Sequence, residues 1–398
     1  MRQEVLEPPP PPPPVSVAGM PGQTTRVALL LPLTGPSAQV GEAMLNSAQL
    51  ALFHWGKETM TLLPLDTHGN AEGAAAAAGQ AIAQQADLVL GPLFSAEVKA
   101  AAPVVQSAGR HMLAFTTDRT AGGNGIFVMG FLPRVQIDRV VSHAIAQGKT
   151  RFAAFAPSND YGRTMVEALK EVAAMRGALV ADIGWYDPQA ADLRDSVRHF
   201  VRFDERKKAL GQQKAQLAGR TDPAAVEARQ KLDQMEAAGD LGFDALLLPD
   251  EGVRLKNVAS LLAYYDAGPD KVRYLGTMLW GDSGLKTEPA LLGAWYPTAP
   301  LAEYANFEGH FVKAFGEKPS RLASLAYDAT ALAAVISRDA GDFGMARLTD
   351  PRGFGGVSGI FRLNPDGGSD RGLEVVELTP EGLRIVAPAP ATFESVGQ

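Results

Sequence analysis

Short apolar runs alternate with helix-length segments along most of this chain, and this order constrains the fold more than any other feature. Four strand-like runs come first, at 26–33, 61–66, 86–92 and 111–115. The segments between them carry apolar residues at helical spacing or are rich in alanine. Strict alternation of this kind is typical of a parallel sheet covered by helices on both faces. The sequence therefore predicts an α/β fold built on a doubly wound parallel sheet, with ligands bound at the carboxyl ends of the strands.

The same pattern restarts after residue 150, which predicts a second lobe of similar design. Its strand-like runs cover 151–156, 178–186, 243–249 and 272–277. Two further runs near the end, Leu373–Leu378 and Leu383–Val386, alternate in a way that indicates an antiparallel finish. At 398 residues the chain is long enough for two such lobes.

Residues 204–240 interrupt the second lobe with a charged segment rich in helix formers. Thr221 or Asp222 can cap a helix that starts at Pro223, so the segment predicts two helices joined near that point. We interpret it as an α-hairpin insertion in the second lobe. It is either a solvated excursion or an arm that binds a partner.

The first 24 residues form a proline-rich leader that contains seven consecutive prolines, Pro8 to Pro14. Such a run adopts polyproline II and acts as a stiff spacer. A spacer predicts an upstream export segment that this sequence does not include. The alternative is a disordered tail with no role.

Charge and residue usage exclude several classes of function. The net charge is −7, which argues against nucleic-acid binding. There is no cysteine, so the printed chain has no disulfide, thiolate metal site or cysteine nucleophile. The six histidines lack the spacing of metal ligands, and neither a nucleophile elbow nor a phosphate-binding loop occurs. The sequence therefore predicts no enzyme, no metal and no cofactor.

Several segments, in order, resemble the type I periplasmic solute-binding proteins of the leucine/isoleucine/valine-binding group. They are the opening run 27–36, Gly91–Ser95, Asn159–Arg163 and Leu325–Ala329. The resemblance implies two lobes joined by a hinge that close over a ligand. It also implies lobe 1 at 25–136 plus 301–345, lobe 2 at 137–300 plus 346–388, and a tail at 389–398.

The resemblance further implies a set of ligand-binding residues. Ser95, after Phe94, matches the serine that holds an amino-acid carboxylate. Thr116, Thr117 and Asp118 match the strand-end loop that grips carboxylate and ammonium. Tyr161 matches the tyrosine of the second lobe that closes over the ligand. Tyr327 falls near an aromatic residue that lines the cleft. Taken singly, each is also compatible with a helix cap, a turn residue or a core aromatic.

Two positions depart from the amino-acid binders. Met278 stands where an acid of the second lobe would pair with the ligand's ammonium, and Val40 stands where an aromatic residue is usual. Asp118 could supply the missing charge.

The leader, the insertion, the segment Phe243–Asp250 and the ending 348–367 are instead similar to the penicillin-binding protein activators. These are outer-membrane lipoproteins that stimulate a peptidoglycan synthase, and their lipidated cysteine would lie upstream of Met1. The sequence thus predicts an exported regulator that binds a peptidoglycan synthase. The alternative is the substrate-binding component of an ABC transporter, which delivers an amino acid or related small carboxylate to an ABC permease.

Overall fold

A computed structural model describes residues 24–56, 60–282, 284–339 and 342–393. The chain divides into two compact units. Unit 1 comprises Met1–Thr116, Ala121–Phe127 and Phe311–Leu348, and unit 2 comprises Thr117–Thr120, Val128–His310 and Thr349–Gln398. The lobe boundaries given above stay a prediction. No helix among the described residues is long and apolar enough to cross a membrane.

The elements up to residue 114 alternate as predicted, whereas the strand at 126–128 was not predicted. In chain order they are β1 (Thr25–Leu31), α1 (Ala38–Ala51), β2 (Met60–Asp66), α2 (Ala71–Ala83), β3 (Leu88–Leu90), α3 (Ser95–Ser107), β4 (His111–Ala114) and β5 (Ile126–Val128).

The elements from residue 133 onward continue the alternation and then end in antiparallel strands. They are α4 (Pro133–Ala146), β6 (Arg151–Pro157), α5 (Asp160–Met175), β7 (Leu179–Tyr186), α6 (Arg194–Phe200), α7 (Phe203–Leu217), α8 (Pro223–Asp233), β8 (Ala245–Leu247), α9 (Gly252–Tyr264), β9 (Arg273–Leu275), β10 (Trp295–Thr298), α10 (Leu301–Phe315), α11 (Ala323–Asp339), α12 (Met345–Leu348), β11 (Phe361–Leu363), β12 (Ser369–Arg371), β13 (Glu374–Thr379) and β14 (Gly382–Ala387).

The sheet of unit 1 has the strand order β2-β1-β3-β4-β5. Strand β1 pairs in parallel with β2 and β3, and β3 pairs in parallel with β4. The five residues from Val27 to Leu31 in β1 are fully buried, as expected for a central strand covered on both faces. Alanines of α2 and α3 form much of the layer that packs on this sheet. The predicted α/β fold with parallel-sheet cores is confirmed.

The sheet of unit 2 has the strand order β14-β13-β10-β9-β8-β6-β7. The neighbours β7, β6, β8, β9 and β10 pair in parallel, whereas β13 pairs antiparallel with both β10 and β14. The predicted antiparallel finish is therefore confirmed. Strand β10 was not predicted, because its four residues include Pro297, which argues against a central strand.

The charged segment 204–240 contains two helices, α7 and α8. The side chain of Asp222 caps α8 by accepting a hydrogen bond from the amide of Ala225 at 3.0 Å. Lys214 of α7 forms an ion pair with Asp233 of α8 at 3.2 Å. Where the segment joins the rest of unit 2, which we call its root, the amide of Ala238 donates to the carbonyl oxygen of Arg206 at 3.1 Å. The two ends of the segment therefore lie side by side.

A buried histidine makes the stability of unit 2 depend on pH. His143 of α4 packs edge-on against Trp295, with ring centroids 4.6 Å apart. In the described part of the chain its Nε2 has no hydrogen-bond partner. Burial, followed by the charge of Arg139, lowers the pKa of His143 below 6.5; Arg273 adds to this effect and Glu377 opposes it.

We expect unit 2 to lose stability as the pH falls below about 6.5, because the unfolded chain then binds a proton that folded His143 excludes. The contribution of one such group is at most about 1.4 kcal/mol per pH unit. Urea unfolding between pH 7.5 and 5, in steps of about half a unit, measures this slope. His143→Gln should flatten the slope, whereas His199→Gln, at an exposed position, should not. Equal slopes for His143→Gln and the unmutated chain would contradict this assignment.

Candidate functional site

Strands β1 to β4 of unit 1 end at one edge of the sheet, where the loop before α3 is held by a buried carboxylate. Glu97 of α3 is fully buried and accepts hydrogen bonds from Thr67 Oγ1 at 2.5 Å and from the amide of Phe94 at 2.9 Å. Burial raises the pKa of Glu97 above its ordinary value, although these two bonds oppose the change. The bonds join the ends of β2 and β3, so they fix the position of Phe94 and Ser95.

A second carboxylate, Asp66, joins the ends of β1 and β2. One oxygen accepts from the amides of Leu33 at 2.9 Å and His68 at 2.8 Å, and the other accepts from Thr34 Oγ1 at 2.7 Å. His68 Nδ1 lies 3.0 Å from Asp66 Oδ2. Burial acts to raise the pKa of Asp66, but the bonds from Thr34, His68 and Leu33 outweigh it and hold the pKa below its ordinary value. Asp66 is thus engaged within the protein as a charged group.

Three predicted residues of unit 1 lie at this strand-end edge. Phe94 is 39% exposed, Ser95 is partly buried as the first residue of α3, and Thr116 is buried two residues after β4. The amide of Phe115 donates to the carbonyl oxygen of Pro92 at 2.9 Å, which holds the end of β4 beside the loop that carries Phe94. The structure therefore brings Phe94, Ser95 and Thr116 to neighbouring strand ends.

Tyr327 lies elsewhere in unit 1. Its hydroxyl is 2.9 Å from His54 Nδ1 and accepts from Trp55 Nε1 at 3.1 Å. Both partners follow the carboxyl end of α1, whereas the loop after β1 lies beside the amino-terminal turn of that helix, at Gly41. The structure therefore does not bring Tyr327 together with Phe94, Ser95 and Thr116, and its role toward a ligand stays a prediction.

Thr117 and Asp118 form part of the short segment that is assigned to unit 2. Thr117 is exposed. One carboxylate oxygen of Asp118 accepts from the amide of Thr120 at 2.9 Å and from its hydroxyl at 2.6 Å. Asp118 therefore caps a turn, and its role toward a ligand remains a prediction.

In unit 2, Tyr161 stands at the start of α5 beside the strand ends. Asn159 caps this helix by accepting from the amide of Gly162 at 2.9 Å. The hydroxyl of Tyr161 donates to Thr277 Oγ1, just after β9, at 2.8 Å. Burial raises the pKa of Tyr161; the bond to Thr277 opposes this, and the nearby charges of Glu251 and Asp250 add to it. Tyr161 is thus a neutral hydroxyl that faces acidic neighbours.

Met278 is buried in an apolar cluster with Ala299 and Leu373. Its amide donates to Gln136 Oε1 at 3.0 Å. Because the thioether lies among apolar side chains, this position offers no charge to a ligand.

The sequence reasoning missed two carboxylates at the strand ends of unit 2. Asp250 and Glu251 follow β8, which pairs with β9. The hydroxyl of Tyr186 donates a short hydrogen bond to Asp250 Oδ2, and burial followed by this bond raises the pKa of Tyr186. The sequence does contain a pattern that indicates them, because the apolar strand ends directly at Pro249-Asp250-Glu251. The resemblance placed the acid that pairs with a ligand's ammonium at the position of Met278, after β9. Asp250 and Glu251 instead follow the neighbouring strand β8.

The two sets of strand ends offer hydroxyls, carboxylates and a helix amino terminus. Such groups can hold a small polar ligand by hydrogen bonds and charge. Among the described residues, no group of three or more histidine, aspartate or glutamate side chains is placed to hold a metal ion.

Comparison with known proteins gives a consistent picture. Residues 24–202 match the family model described as periplasmic binding protein. Penicillin-binding protein activator LpoA from Vibrio cholerae is 30% identical over 155 residues, which cover 37% of this chain and 25% of that protein. The matched segment is thus a quarter of the length of this curated relative.

Solved structures share the fold over nearly the whole chain. A putative branched-chain amino acid ABC transporter protein from Rhodospirillum rubrum is 18% identical with a TM-score of 0.71, covering 92% of this chain and 100% of that one. LivJ from Streptococcus pneumoniae, in complex with isoleucine, is 16% identical with a TM-score of 0.57, covering 92% and 100%. The predicted resemblance is confirmed: this chain has the fold of the type I periplasmic binding proteins, and its first half matches their family model.

Proposed function

We propose that this chain is a non-enzymatic regulator of the cell envelope that binds a peptidoglycan synthase of the penicillin-binding protein class. The relative from Vibrio cholerae is named as an activator of such a protein. A periplasmic location, with an anchor in the outer membrane supplied by an upstream lipidated cysteine, is part of this proposal. The observation that carries it is the helical arm, residues 207–236.

The arm presents two helices that are polar on nearly all sides. In α7 the buried residues are Arg206 and Leu210, and in α8 the buried residue is Ala225. A helix with so little apolar surface gains almost nothing from its own packing, so its polar faces are available to a partner. A surface of alternating charge at the end of a folded unit suits a polar, reversible protein interface.

The strand ends of unit 2 support the same proposal. Tyr161 bonds Thr277, Tyr186 bonds Asp250, and Met278 lies in an apolar cluster. A ligand that used these hydroxyls and this carboxylate would first have to break bonds that are already made. A role on the outer surface carries no such cost.

Removal of the arm tests the proposal. Because Arg206 and Ala238 are joined by a backbone hydrogen bond, a short glycine-serine turn can replace the arm, residues 207–236, without moving either end. We expect the shortened chain to stay folded, to lose capture of the penicillin-binding proteins of its own organism, and to lose stimulation of glycan polymerisation in vitro. The matched control is Glu167→Ala with Lys170→Ala, which removes an exposed ion pair on α5.

Full stimulation by the shortened chain would show that the arm is not the interface. If the unshortened chain gives no stimulation, the proposal that this chain regulates a peptidoglycan synthase is contradicted. The second candidate, an amino-acid receptor for an ABC permease, is favoured by Asp250 and Glu251, which place negative charge beside Tyr161 where an ammonium could bind. In that case leucine or a related amino acid would raise the unfolding temperature, and the arm would be dispensable.

A further inference from the structure

A cavity of about 440 Å³ opens on the edge strand of unit 2, on the side of β7 that carries α6. It is formed by residues 182–185 of β7, by α6 and by the first turn of α7. Its volume lies within the range of about 300–1,000 Å³ that is usual for small-molecule sites. None of the predicted ligand residues lines it.

The floor of the cavity is apolar and closely packed. The rings of Phe155 and Phe200 lie 4.9 Å apart and are almost fully buried. A side chain at Gly184 would collide with both rings, since its Cβ would lie 2.5 Å from Phe200 and 2.6 Å from Phe155. The absence of a side chain at Gly184 therefore lets the two rings close the floor.

The walls of the cavity are polar, and some of their side chains have hydrogen-bonding groups that are not used within the described part of the chain. Ser196, His199 and Glu205 line it, and their side chains make no hydrogen bond or ion pair within the part of the chain that the structure describes. Opposite them, Arg202 pairs with Asp182 at 2.9 Å. Arg202 adopts the left-handed backbone conformation, with φ of 51°. A non-glycine residue is disfavoured in this region, and such residues cluster at functional sites.

The mixture of charges narrows the class of ligand. An anion would meet the carboxylates of Asp182 and Glu205, and a cation would meet the guanidinium of Arg202. A hydroxyl both donates and accepts, so a neutral ring bearing several hydroxyls finds a partner at every wall position. The carbon face of such a ring can rest on the phenylalanine floor. We propose that this cavity is a binding site for a neutral saccharide, independent of the function proposed above.

Titration of the full chain with N-acetylglucosamine, glucose and maltose tests this proposal, with glycine, lysine and citrate as charged probes. We expect at least one neutral sugar to bind by calorimetry and to give saturation-transfer signals in NMR. Ser196→Phe should abolish binding by filling the cavity. Glu205→Ala should weaken binding by about tenfold through loss of an acceptor, and it leaves the packing of the cavity unchanged. The control is Asp195→Ala, which alters a neighbouring residue of α6 that does not line the cavity.

Three results would overturn the proposal. One is the absence of binding for all three sugars at millimolar concentration. Another is equal sugar affinity in the unmutated chain and in Glu205→Ala, which would place the sugar elsewhere. The third is binding of a charged probe alone, with loss of that binding in Glu205→Ala, because it would assign the cavity to a different class of ligand.

Discussion

Arg206→Ala should lower the free energy of unfolding of unit 2 by about 3–5 kcal/mol, because it leaves a buried carboxylate without its main partner. Arg206 and Asp266 form an ion pair at 2.6 Å, and their side chains are only 9% and 7% exposed. Lys271 also contacts Asp266, but it is 35% exposed and offers weaker compensation. The pair ties the first turn of α7 to the end of α9, so it anchors the root of the arm.

A double-mutant cycle separates the ion pair from simple packing. Asp266 has φ of 65°, and asparagine tolerates that conformation, so Asp266→Asn is the matched partner change. Arg206→Met with Asp266→Asn should cost less than the sum of the two single changes. The measurement is urea unfolding followed by the fluorescence of buried Trp280. Arg194→Ala, which breaks an exposed ion pair with Asp192, should cost far less than Arg206→Ala. A similarly small cost for Arg206→Ala would contradict the assignment.

The order of strands and helices could be predicted because buried parallel strands have a strong local signature. The run from Val27 to Leu31 is apolar without interruption, and helix α2 is dominated by alanine. Strands β5, β10, β11 and β12 were missed for the opposite reason. They have three or four residues each, and β12 reads Ser-Asp-Arg. Such strands form because they pair with strands that are distant in sequence, so the local pattern of apolar and polar residues does not predict them.

The candidate site could be predicted only in part. Ser95 and Thr116 lie at strand ends, whose place in a doubly wound sheet is set by the topology that the alternation predicts. Their role toward a ligand stays a prediction. Asp250 was overlooked because its relevance depends on its bond to Tyr186, 64 positions earlier in the chain. Tyr327 was assigned to a ligand by resemblance, yet its hydroxyl partners are fixed by the packing of α11 against α1. Side-chain partners of this kind emerge only from tertiary structure.

Gly91→Ala should destabilise unit 1 by roughly 3 kcal/mol or more, because two separate costs combine. Gly91 has φ of 84°, a conformation that disfavours any side chain by about 1–2 kcal/mol. An added Cβ would also lie 2.2 Å from the carbonyl oxygen of Leu30 in β1. To relieve this contact, the end of β3 would have to move away from β1, which breaks hydrogen bonds of β3 with its neighbouring strands. The loop that carries Phe94 and Ser95 would move with the end of β3.

Substitutions at three other glycines, each measured by urea unfolding, separate the cost of the left-handed φ from the cost of the close contact. Gly109→Ala has a left-handed φ of 65° but open space around it, so it should cost about 1–2 kcal/mol. Gly162→Ala has no such φ, but its Cβ would lie 2.0 Å from the carbonyl oxygen of Pro157, so it tests close contact alone. Gly79→Ala in α2 meets neither condition and should stabilise by up to about 1 kcal/mol through helix propensity. If Gly91→Ala costs no more than Gly109→Ala, the contact with Leu30 does not limit this loop, and the position of Ser95 must be set by the Glu97 bonds instead.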